Sequence, residues 1–152
     1  MNKKVFGRKL SRSRPAREAL FASLARAMML SGKIVTTRAK AKAVQPDLEK
    51  FVTLAKRGDL SGRRRILASL DNSKDALEAL YKKIVPVFSA RTSGFTRIIS
   101  LPRRKGDNAQ VVRMEWTETI IKNEELKIKN KKAPKKEEKV KKTVKGKGKI
   151  EK

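Results

Sequence analysis

The 152-residue chain contains no cysteine and no histidine, and only seven of its side chains are aromatic. The absence of cysteine excludes a disulfide framework, and the absence of both residue types excludes the usual zinc and iron–sulfur sites. Without histidine the chain lacks the commonest general base and every Ser–His or Cys–His pairing. It also lacks a glycine-rich phosphate loop of standard spacing. The composition therefore leaves catalysis little to rest on, and we expect no metal site, no enzymatic activity and no small-molecule substrate.

Long apolar runs are also missing. The most apolar window, residues 20–30, contains Arg26 and is shorter than the ~20 apolar residues that a membrane span requires. The positively charged start of the chain is not followed by an apolar run, so it does not resemble a secretory signal. We expect an intracellular protein with no membrane partner.

Acidic residues are scarce: 41 Lys and Arg stand against 15 Asp and Glu, a net charge of +26. Residues 1–121 hold all 15 Arg and have a net charge of +17, whereas residues 122–152 hold 14 Lys, no Arg and a net charge of +9. Arginine grips a phosphate with a planar fork of donors, while lysine acts as a mobile point charge. Because self-repulsion at this charge density opposes compaction, we expect a polyanionic partner, and nucleic acid is the first candidate.

The change in composition divides the chain into a domain and a tail. Residues 1–121 form the predicted domain, which begins with an extended basic arm at residues 1–12 and is large enough to bury a modest core. Residues 122–152 are Lys-rich and of low complexity, so burial cannot offset the entropy of ordering them. The sequence predicts that this tail is disordered in isolation.

Two long helices are predicted in the first half of the domain. The first opens at Ser13 or Arg14 and ends at Gly32. Its core positions are predicted to be Ala16, Leu20, Leu24, Ala27 and Met28. The second is capped by Thr36 or Thr37, continues through Pro46 with a kink, and ends at Gly58. Its core positions are predicted to be Ala41, Val44, Leu48, Phe51, Val52 and Ala55.

Two shorter helices and three strands complete the prediction. A third helix covers residues 61–70, and a fourth is capped by Ser73 and stopped by Pro86. The pattern then changes to strands at residues 95–101 and 111–117, which join a short β-rich run at residues 34–36. The expected fold class is α+β, with about four helices packed on a small three-stranded sheet, a basic N-terminal arm and a disordered Lys-rich C-terminal tail.

Clusters of basic residues at the ends of elements are the candidate binding sites. Arg63, Arg64 and Arg65 fall in the predicted first turn of a helix, where the helix dipole disfavours them, so an external anion is expected there. Arg103, Arg104 and Lys105 lie at a predicted hairpin tip that could enter a fold of structured RNA. The alternative reading of both clusters is a solvated basic surface. Around the start of the second helix, Arg38, Lys40 and Lys42 form a weaker cluster.

Residues 91–97 combine two arginines, three hydroxyls and a glycine. Arg91 and Arg97 can bind phosphate, and Gly94 allows the backbone to approach a phosphate closely. Phe95 could stack on a base, but a single Phe entering a strand is more often part of the core. A separate expectation concerns the acids: Asp47, Glu49 and Glu78 are expected on helix surfaces, in ion pairs or in water.

Six short motifs occur in an order that resembles a known family. They are Gly7-Arg8-Lys9-Leu10, Ile34-Val35-Thr36-Thr37, Ala39-Lys40-Ala41-Lys42, Leu54-Ala55-Lys56, Arg91 with Gly94-Phe95-Thr96-Arg97-Ile98, and Gly106-Asp107-Asn108-Ala109. Residues 1–120 resemble the bacterial large-subunit ribosomal protein family numbered seventeen. The Lys tail after Thr119 lies beyond the family core.

The resemblance implies a structural protein that binds large-subunit ribosomal RNA beside neighbouring large-subunit ribosomal proteins, in the cytoplasm and without a cofactor. It implies RNA contacts on the arm, at the start of the first helix, at the turn before the second helix, and along residues 91–97. By position these residues are Lys3, Arg8, Lys9, Arg12, Arg14, Arg17, Thr36, Thr37, Arg38, Lys40, Arg91, Gly94, Thr96 and Arg97.

Two other functions compete with the ribosomal one. A nucleoid-type protein that binds DNA without sequence preference would account for the Lys tail, and an RNA-modifying enzyme or assembly factor would account for the basic domain. The extended arm and the Arg-rich loop favour folded RNA over duplex DNA, because nothing in the sequence reads as a helix–turn–helix or a dimerising ribbon.

Overall fold

The computed structural model describes residues 8–118 of the chain, and these residues adopt the predicted α+β fold. The predicted tail, residues 122–152, and the first seven residues of the arm lie outside that range. The elements in chain order are α1 (Arg14–Ser31), β1 (Lys33–Thr37), α2 (Arg38–Arg57), α3 (Leu60–Ser69), α4 (Lys74–Ala79), a π-helical turn (Leu80–Ile84), α5 (Val85–Val87), β2 (Thr96–Ser100) and β3 (Val111–Trp116).

Helix α1 has the predicted ends but not the predicted buried face. Pro15 occupies its first turn, and Gly32 closes it with a left-handed backbone whose N–H donates to the Met28 carbonyl at 3.0 Å. The buried residues are Ala22, Ala25, Met28 and Met29, so only Met28 of the predicted stripe is correct. Helix α1 contacts β1 and α4, and the larger Leu20 and Leu24 are half-buried.

Helix α2 has the predicted ends and the predicted core. All six predicted core positions are buried, and the helix continues without a break through Pro46, whose ring is exposed. Thr37 is its N-cap residue, but the Thr37 side chain makes no capping hydrogen bond. The first turn of α2 therefore presents backbone N–H groups without a side-chain acceptor.

The fourth predicted helix ends at Val87, one residue past Pro86, but it is not a regular α-helix throughout. Helix α4 passes into a π-helical turn, where the Val85 N–H donates to the Leu80 carbonyl five residues back, and α5 follows. The wider turn shifts the register of the backbone hydrogen bonds. Pro86, which has no N–H, lies in the first turn of α5, where a backbone N–H is not required as a donor. Within residues 8–118, no helix is both long enough and apolar enough to cross a membrane.

The three strands form an antiparallel sheet with β3 in the centre, flanked by β1 and β2. Val112, Met114 and Trp116 on β3 are buried against the helices, and the Trp116 Nε1 donates to the Met28 carbonyl at 3.2 Å. The Phe88 ring lies 5.3 Å from the ring of Phe95 and 5.9 Å from that of Trp116, centroid to centroid. These aromatic contacts join the end of the helical layer to the sheet.

The strand order decides which loops meet. Because β3 is antiparallel to both neighbours, β1 and β2 end where β3 begins. The loop at residues 101–110 therefore lies at the same end of the sheet as the start of α2. The turn before β2 lies at the opposite end, beside the last residues of β3.

Candidate nucleic-acid interface

Arg8 of the basic arm meets Arg38 and Lys42 of α2 around one pocket at the start of that helix. Arg8, Arg38 and Lys42 line this pocket of about 400 Å³ together with Thr37, Ala39 and Gln110. None of the six lining residues is acidic. We call this pocket, with its six lining residues, the α2-start pocket.

The backbone at this pocket adds to its affinity for an anion. Uncapped N–H groups in the first turn of a long helix carry the positive end of the helix dipole. One of them, the Arg38 N–H, donates to the Gln110 carbonyl at 3.0 Å, which ties the helix start to the end of the 101–110 loop. The remaining N–H groups of the turn, three cationic side chains and the Thr37 hydroxyl make a site whose chemistry suits a phosphate.

The described part of the basic arm is a tight turn and not the extended chain that we predicted. The Arg12 N–H donates to the Lys9 carbonyl at 3.1 Å, and both central residues, Leu10 and Ser11, have left-handed backbones with φ of 53° and 51°. This turn leaves Arg8, Lys9 and Arg12 exposed. Lys3, also predicted as an RNA contact, lies outside the described residues.

The tip of the β2–β3 connection carries Arg103, Arg104 and Lys105, all exposed. The Arg104 Nη2 and Nε lie 2.5 and 3.1 Å from the two carboxylate oxygens of Asp107, and Asp107 also accepts the Ala109 N–H at 3.2 Å. The hydrogen bond from Arg104, followed by that from the Ala109 N–H, lowers the pKa of Asp107 to about 2. Asp107 thus holds Arg104 against the loop and leaves Arg103 and Lys105 as the cations without an ion pair there.

Glu49 organises the turn before β2, a role that the sequence did not predict. Its carboxylate accepts the backbone N–H groups of Gly94, Phe95 and Thr96 at 3.1, 3.2 and 3.2 Å, and the Thr96 hydroxyl at 3.1 Å. Gly94 has φ of 69°, a conformation that other residues rarely adopt, and it turns its N–H toward the carboxylate. Our expectation that Glu49 lies on a solvated surface or in an ion pair is therefore wrong.

The backbone of the 94–96 turn is occupied within the protein. The Gly94 carbonyl accepts the Arg91 Nη1 and the Thr117 hydroxyl, both at 2.9 Å. Thr96 is 7% exposed and Phe95 is 1% exposed, which confirms the core reading of that ring. The groups that face outward from this turn are the side chains of Arg91, which is half-buried, and the exposed Arg97.

Arg91 and Arg97 both have acidic neighbours on the sheet. The Arg97 Nε and Nη2 lie 2.7 and 2.6 Å from the same Glu115 oxygen, and the second Glu115 oxygen lies 3.0 Å from the Arg113 Nε. The Arg91 Nε lies 3.8 Å from Glu118. These ion pairs fix the direction of the guanidinium groups, and more than half of the Arg97 side chain still faces solvent.

The arginine run on α3 begins just after the first turn and not within it, because the helix starts at Leu60, one residue earlier than predicted. Asp59 is the N-cap residue, and the Arg63 N–H already donates to the Asp59 carbonyl at 3.0 Å. The predicted conflict with the helix dipole is therefore wrong, although Arg63, Arg64 and Arg65 are all exposed. The Arg63 guanidinium lies over the Tyr81 ring at 5.8 Å from its centroid, so part of its role is to pack on α4 and the π-helical turn.

Arg65 joins the α3 cluster to the turn before β2. It lines a second pocket, of about 520 Å³, together with Arg57, Thr92 and Ser93. Lys56 supports the same region, with its Nζ 2.5 Å from the Arg91 carbonyl and 5.7 Å from the centroid of the Phe95 ring. The sequence did not indicate Arg57 as a candidate, although its place in the last turn of α2 beside Gly58 is a weak signal for an exposed cation.

The remaining predicted residues are placed separately. Arg14 pairs with Glu18 at 2.9 Å on the exposed start of α1, while Arg17 is half-buried. Thr36 and Lys40 are half-buried on either side of Thr37. Several basic candidates within residues 8–118 form no ion pair: Arg8, Lys9, Arg12, Arg17, Arg38, Lys40, Lys42, Arg63, Arg64, Arg65, Arg103 and Lys105.

Comparison with known proteins agrees with the motifs in the sequence. The model of the family described as Ribosomal protein L17 matches residues 20–117, which is more than half of the chain. The chain belongs to the ribosomal protein L17 family. As a member it is a structural protein of the large ribosomal subunit and not an enzyme, and its location is the bacterial cytoplasm. The family match ends before the Lys-rich residues 122–152.

The chain matches curated relatives over more than three quarters of their length. The large ribosomal subunit protein bL17 of Hydrogenobaculum sp. is 42% identical over 119 residues, which are 78% of this chain and 100% of the relative. The bL17 protein of Persephonella marina is 44% identical over 119 residues, 78% of this chain and 96% of the relative. That of Akkermansia muciniphila is 44% identical over 107 residues, 70% of this chain and 78% of the relative.

Proposed function

We propose that the chain binds large-subunit ribosomal RNA through three basic surfaces that the fold assembles. They are the α2-start pocket, the tip of the 101–110 loop, and the turn before β2 with the neighbouring Arg65. The observation that carries the proposal is the α2-start pocket, where Arg8, Arg38 and Lys42 meet without an acidic neighbour. In a domain with a net charge of +17, such a concentration of unpaired cations is stable beside a polyanion.

The chemistry of these surfaces suits the backbone of folded RNA. Exposed guanidinium groups can each bind a phosphate with two hydrogen bonds, and the first turn of α2 supplies backbone donors at one of the sites. The described residues offer no exposed pair of aromatic rings on the sheet, the arrangement on which single-stranded bases stack. Recognition would therefore depend on the spacing of phosphates in a folded RNA and not on base sequence.

The first two surfaces act together in this proposal. The Arg38–Gln110 contact joins the α2-start pocket to the 101–110 loop, with the Arg38 Nη1 also 3.5 Å from the Gln110 Oε1. One RNA strand crossing this end of the sheet would meet Arg8, Arg38 and Lys42 first and Arg103 and Lys105 next. Membership of a ribosomal protein family supports ribosomal RNA over DNA as the partner.

A binding measurement with the full chain and a large-subunit RNA tests the proposal. Replacing Arg8, Arg38 and Lys42 with Ala should weaken binding and should reduce the slope of log affinity against log salt by ~2–3, since each lost phosphate contact accounts for ~0.7–0.9. A matched control replaces Lys74, Lys82 and Lys83 with Ala, which removes the same charge from α4 and the π-helical turn. Equal losses in the two variants would contradict the proposal.

A further inference from the structure

The turn at residues 9–12 has a backbone conformation that its sequence does not favour. Both central residues, Leu10 and Ser11, have a positive φ, 53° and 51°, as in a type I′ turn. Asn followed by Gly is the favoured pair at these positions, because a left-handed backbone brings the Cβ of most other residues too close to the following carbonyl oxygen. With a leucine and a serine in its centre, this turn is strained.

Few contacts within the protein offset the strain. The Arg12 N–H donates to the Lys9 carbonyl at 3.1 Å, and the Leu10 side chain is half-buried. The side chains of Arg8, Lys9 and Arg12 are exposed and form no ion pair within residues 8–118. A strained backbone persists where surrounding interactions hold it, and these contacts supply only part of what this turn requires.

The turn also brings like charges together. It places Arg8 in the lining of the α2-start pocket with Arg38 and Lys42, and no acidic residue lines that pocket. Cations repel one another more strongly beside low-dielectric protein than in bulk water. Opening the turn would therefore relieve both the backbone strain and the repulsion on Arg8, whereas a phosphate between the three cations would replace the repulsion with attraction.

We propose that the turn at residues 9–12 closes over an RNA phosphate and that the α2-start pocket is completed only in that closed form. Arg38 and Lys42 belong to a long helix and form the fixed part of the pocket, and Arg8 is the part that moves. Without RNA the turn opens in a large fraction of the molecules. The inference rests on the proposed function, because RNA supplies the phosphate.

Coupling between closure and binding can be measured with substitutions that leave the charge unchanged. The apparent Kd is the intrinsic Kd divided by the closed fraction, so a residue that favours the closed turn tightens binding. Leu10→Asn with Ser11→Gly supplies the favoured pair of a type I′ turn and should tighten binding of a large-subunit RNA by about threefold or more. Ser11→Gly alone keeps the Leu10 side chain and should act in the same direction.

The opposite substitution provides the matched control. Leu10→Val with Ser11→Val places β-branched residues at two left-handed positions, so it should weaken binding by a similar factor, about threefold or more. Equal affinities for the Asn-Gly and Val-Val variants, or tighter binding by the Val-Val variant, would overturn the proposal.

A double-mutant cycle tests whether Arg8 is the group that closure delivers. In an Arg8→Ala chain, closing the turn brings no guanidinium to the pocket, so the Asn-Gly and Val-Val substitutions should change the affinity by less than about 1.5-fold. Effects of the same size with and without Arg8 would contradict its role as the moving part.

A distance measurement shows the closure directly. Because the chain has no cysteine, one spin label can be attached at Lys9→Cys in the turn and another at Lys50→Cys, exposed on α2. Pulsed electron paramagnetic resonance of the full chain should give a broad distribution of distances without RNA and a narrow one with it. A distribution that is equally narrow without RNA, or one that broadens when RNA binds, would overturn the proposal.

The same binding measurements distinguish the two proposals. Wild-type chain that does not bind large-subunit RNA, or that binds it no better than the Arg8, Arg38 and Lys42 triple-Ala variant, would overturn the proposed function and the closure together. Binding that requires those three residues but ignores the turn substitutions would overturn the closure alone.

Discussion

At the scale of single residues, two carboxylates have opposite effects on the basic surfaces. Glu49 binds backbone N–H groups and leaves the neighbouring guanidinium groups to other partners, whereas Asp107 takes up the guanidinium of Arg104. The first carboxylate shapes a turn that presents Arg91 and Arg97. Asp107 holds the loop tip in place but pairs with one of its three cations, Arg104.

Replacing Glu49 with Ala should destabilise the folded chain by about 2–4 kcal/mol, because it leaves buried donors of the 94–96 turn without an acceptor. Glu49→Gln keeps one acceptor oxygen and should recover part of the loss. Urea denaturation of the full chain measures both. Glu78→Ala removes an exposed ion pair with Lys82 and should cost no more than ~0.5 kcal/mol. A Glu49→Ala variant as stable as this control would contradict the role of the carboxylate.

Acid should release Arg104 from the loop. The pKa of Asp107 is lowered to about 2 by Arg104, so the ion pair stabilises the loop fully above the ordinary Asp value of ~3.9 and is lost as the pH falls toward 2. NMR titration of the Asp107 carboxyl carbon should show a midpoint near 2. In Arg104→Ala the midpoint should move up toward ~3.9. A wild-type midpoint already at the ordinary value would show that the ion pair does not persist in solution.

At the scale of elements, how well the sequence predicted the fold depended on how regular each buried face is. The second helix buries Val44, Leu48, Phe51 and Val52 at strict helical spacing, and Ala41 and Ala55 continue the same stripe, so all its core positions were predicted. The first helix packs through Ala22 and Ala25, and small residues carry no clear signal of burial. The π-helical turn before Pro86 was not predicted, because such turns are rare and have no simple sequence pattern.

The candidate site was likewise predicted only in part. Runs of adjacent basic residues, such as 103–105, are visible in the sequence. The proximity of Arg8 to Arg38 is not visible in the sequence, because it depends on the turn at residues 9–12 and on the hydrogen bond between α2 and Gln110. The role of Glu49 also depends on contacts across about 45 residues of chain, which periodicity within one helix cannot show.

Helix α3 allows an element-scale test of arginine geometry. Replacing Arg63, Arg64 and Arg65 with Ala should weaken incorporation into the large subunit. Stability should change little, because the three side chains are exposed and the contact of Arg63 with Tyr81 is of a kind worth ~0.5–1 kcal/mol at an exposed site. The triple Lys variant keeps the charge and loses the planar fork, so an equal loss of incorporation would assign the effect to the fork. Full incorporation of the Ala variant would exclude these residues from the interface.

At the scale of the whole molecule, charge repulsion opposes the fold. Residues 1–121 carry a net charge of +17, and the surfaces described above collect much of it without acidic partners. RNA would neutralise those surfaces and would bind only the folded form, so it would stabilise the fold by mass action. The isolated chain is therefore expected to be much less stable than the chain on the particle.

Added salt should raise the Tm of the isolated full chain. Between about 0.01 and 0.1 M NaCl the Debye length falls from ~30 Å to ~10 Å, which screens repulsion between the basic clusters. The few exposed ion pairs that salt also weakens contribute less than this gain. Thermal melts followed by circular dichroism measure the effect, and a Tm that falls as NaCl is added would contradict it.

The central claim is that the basic surfaces hold this chain on large-subunit ribosomal RNA, and sedimentation tests it most directly. A cell lysate is separated on a sucrose gradient, and the chain is followed by antibody. The wild-type chain should peak with the large subunit, and the Arg8→Ala, Arg38→Ala, Lys42→Ala variant should shift toward the top of the gradient. A wild-type peak with the nucleoid, or a variant that stays with the large subunit as fully as the wild type, would contradict the account.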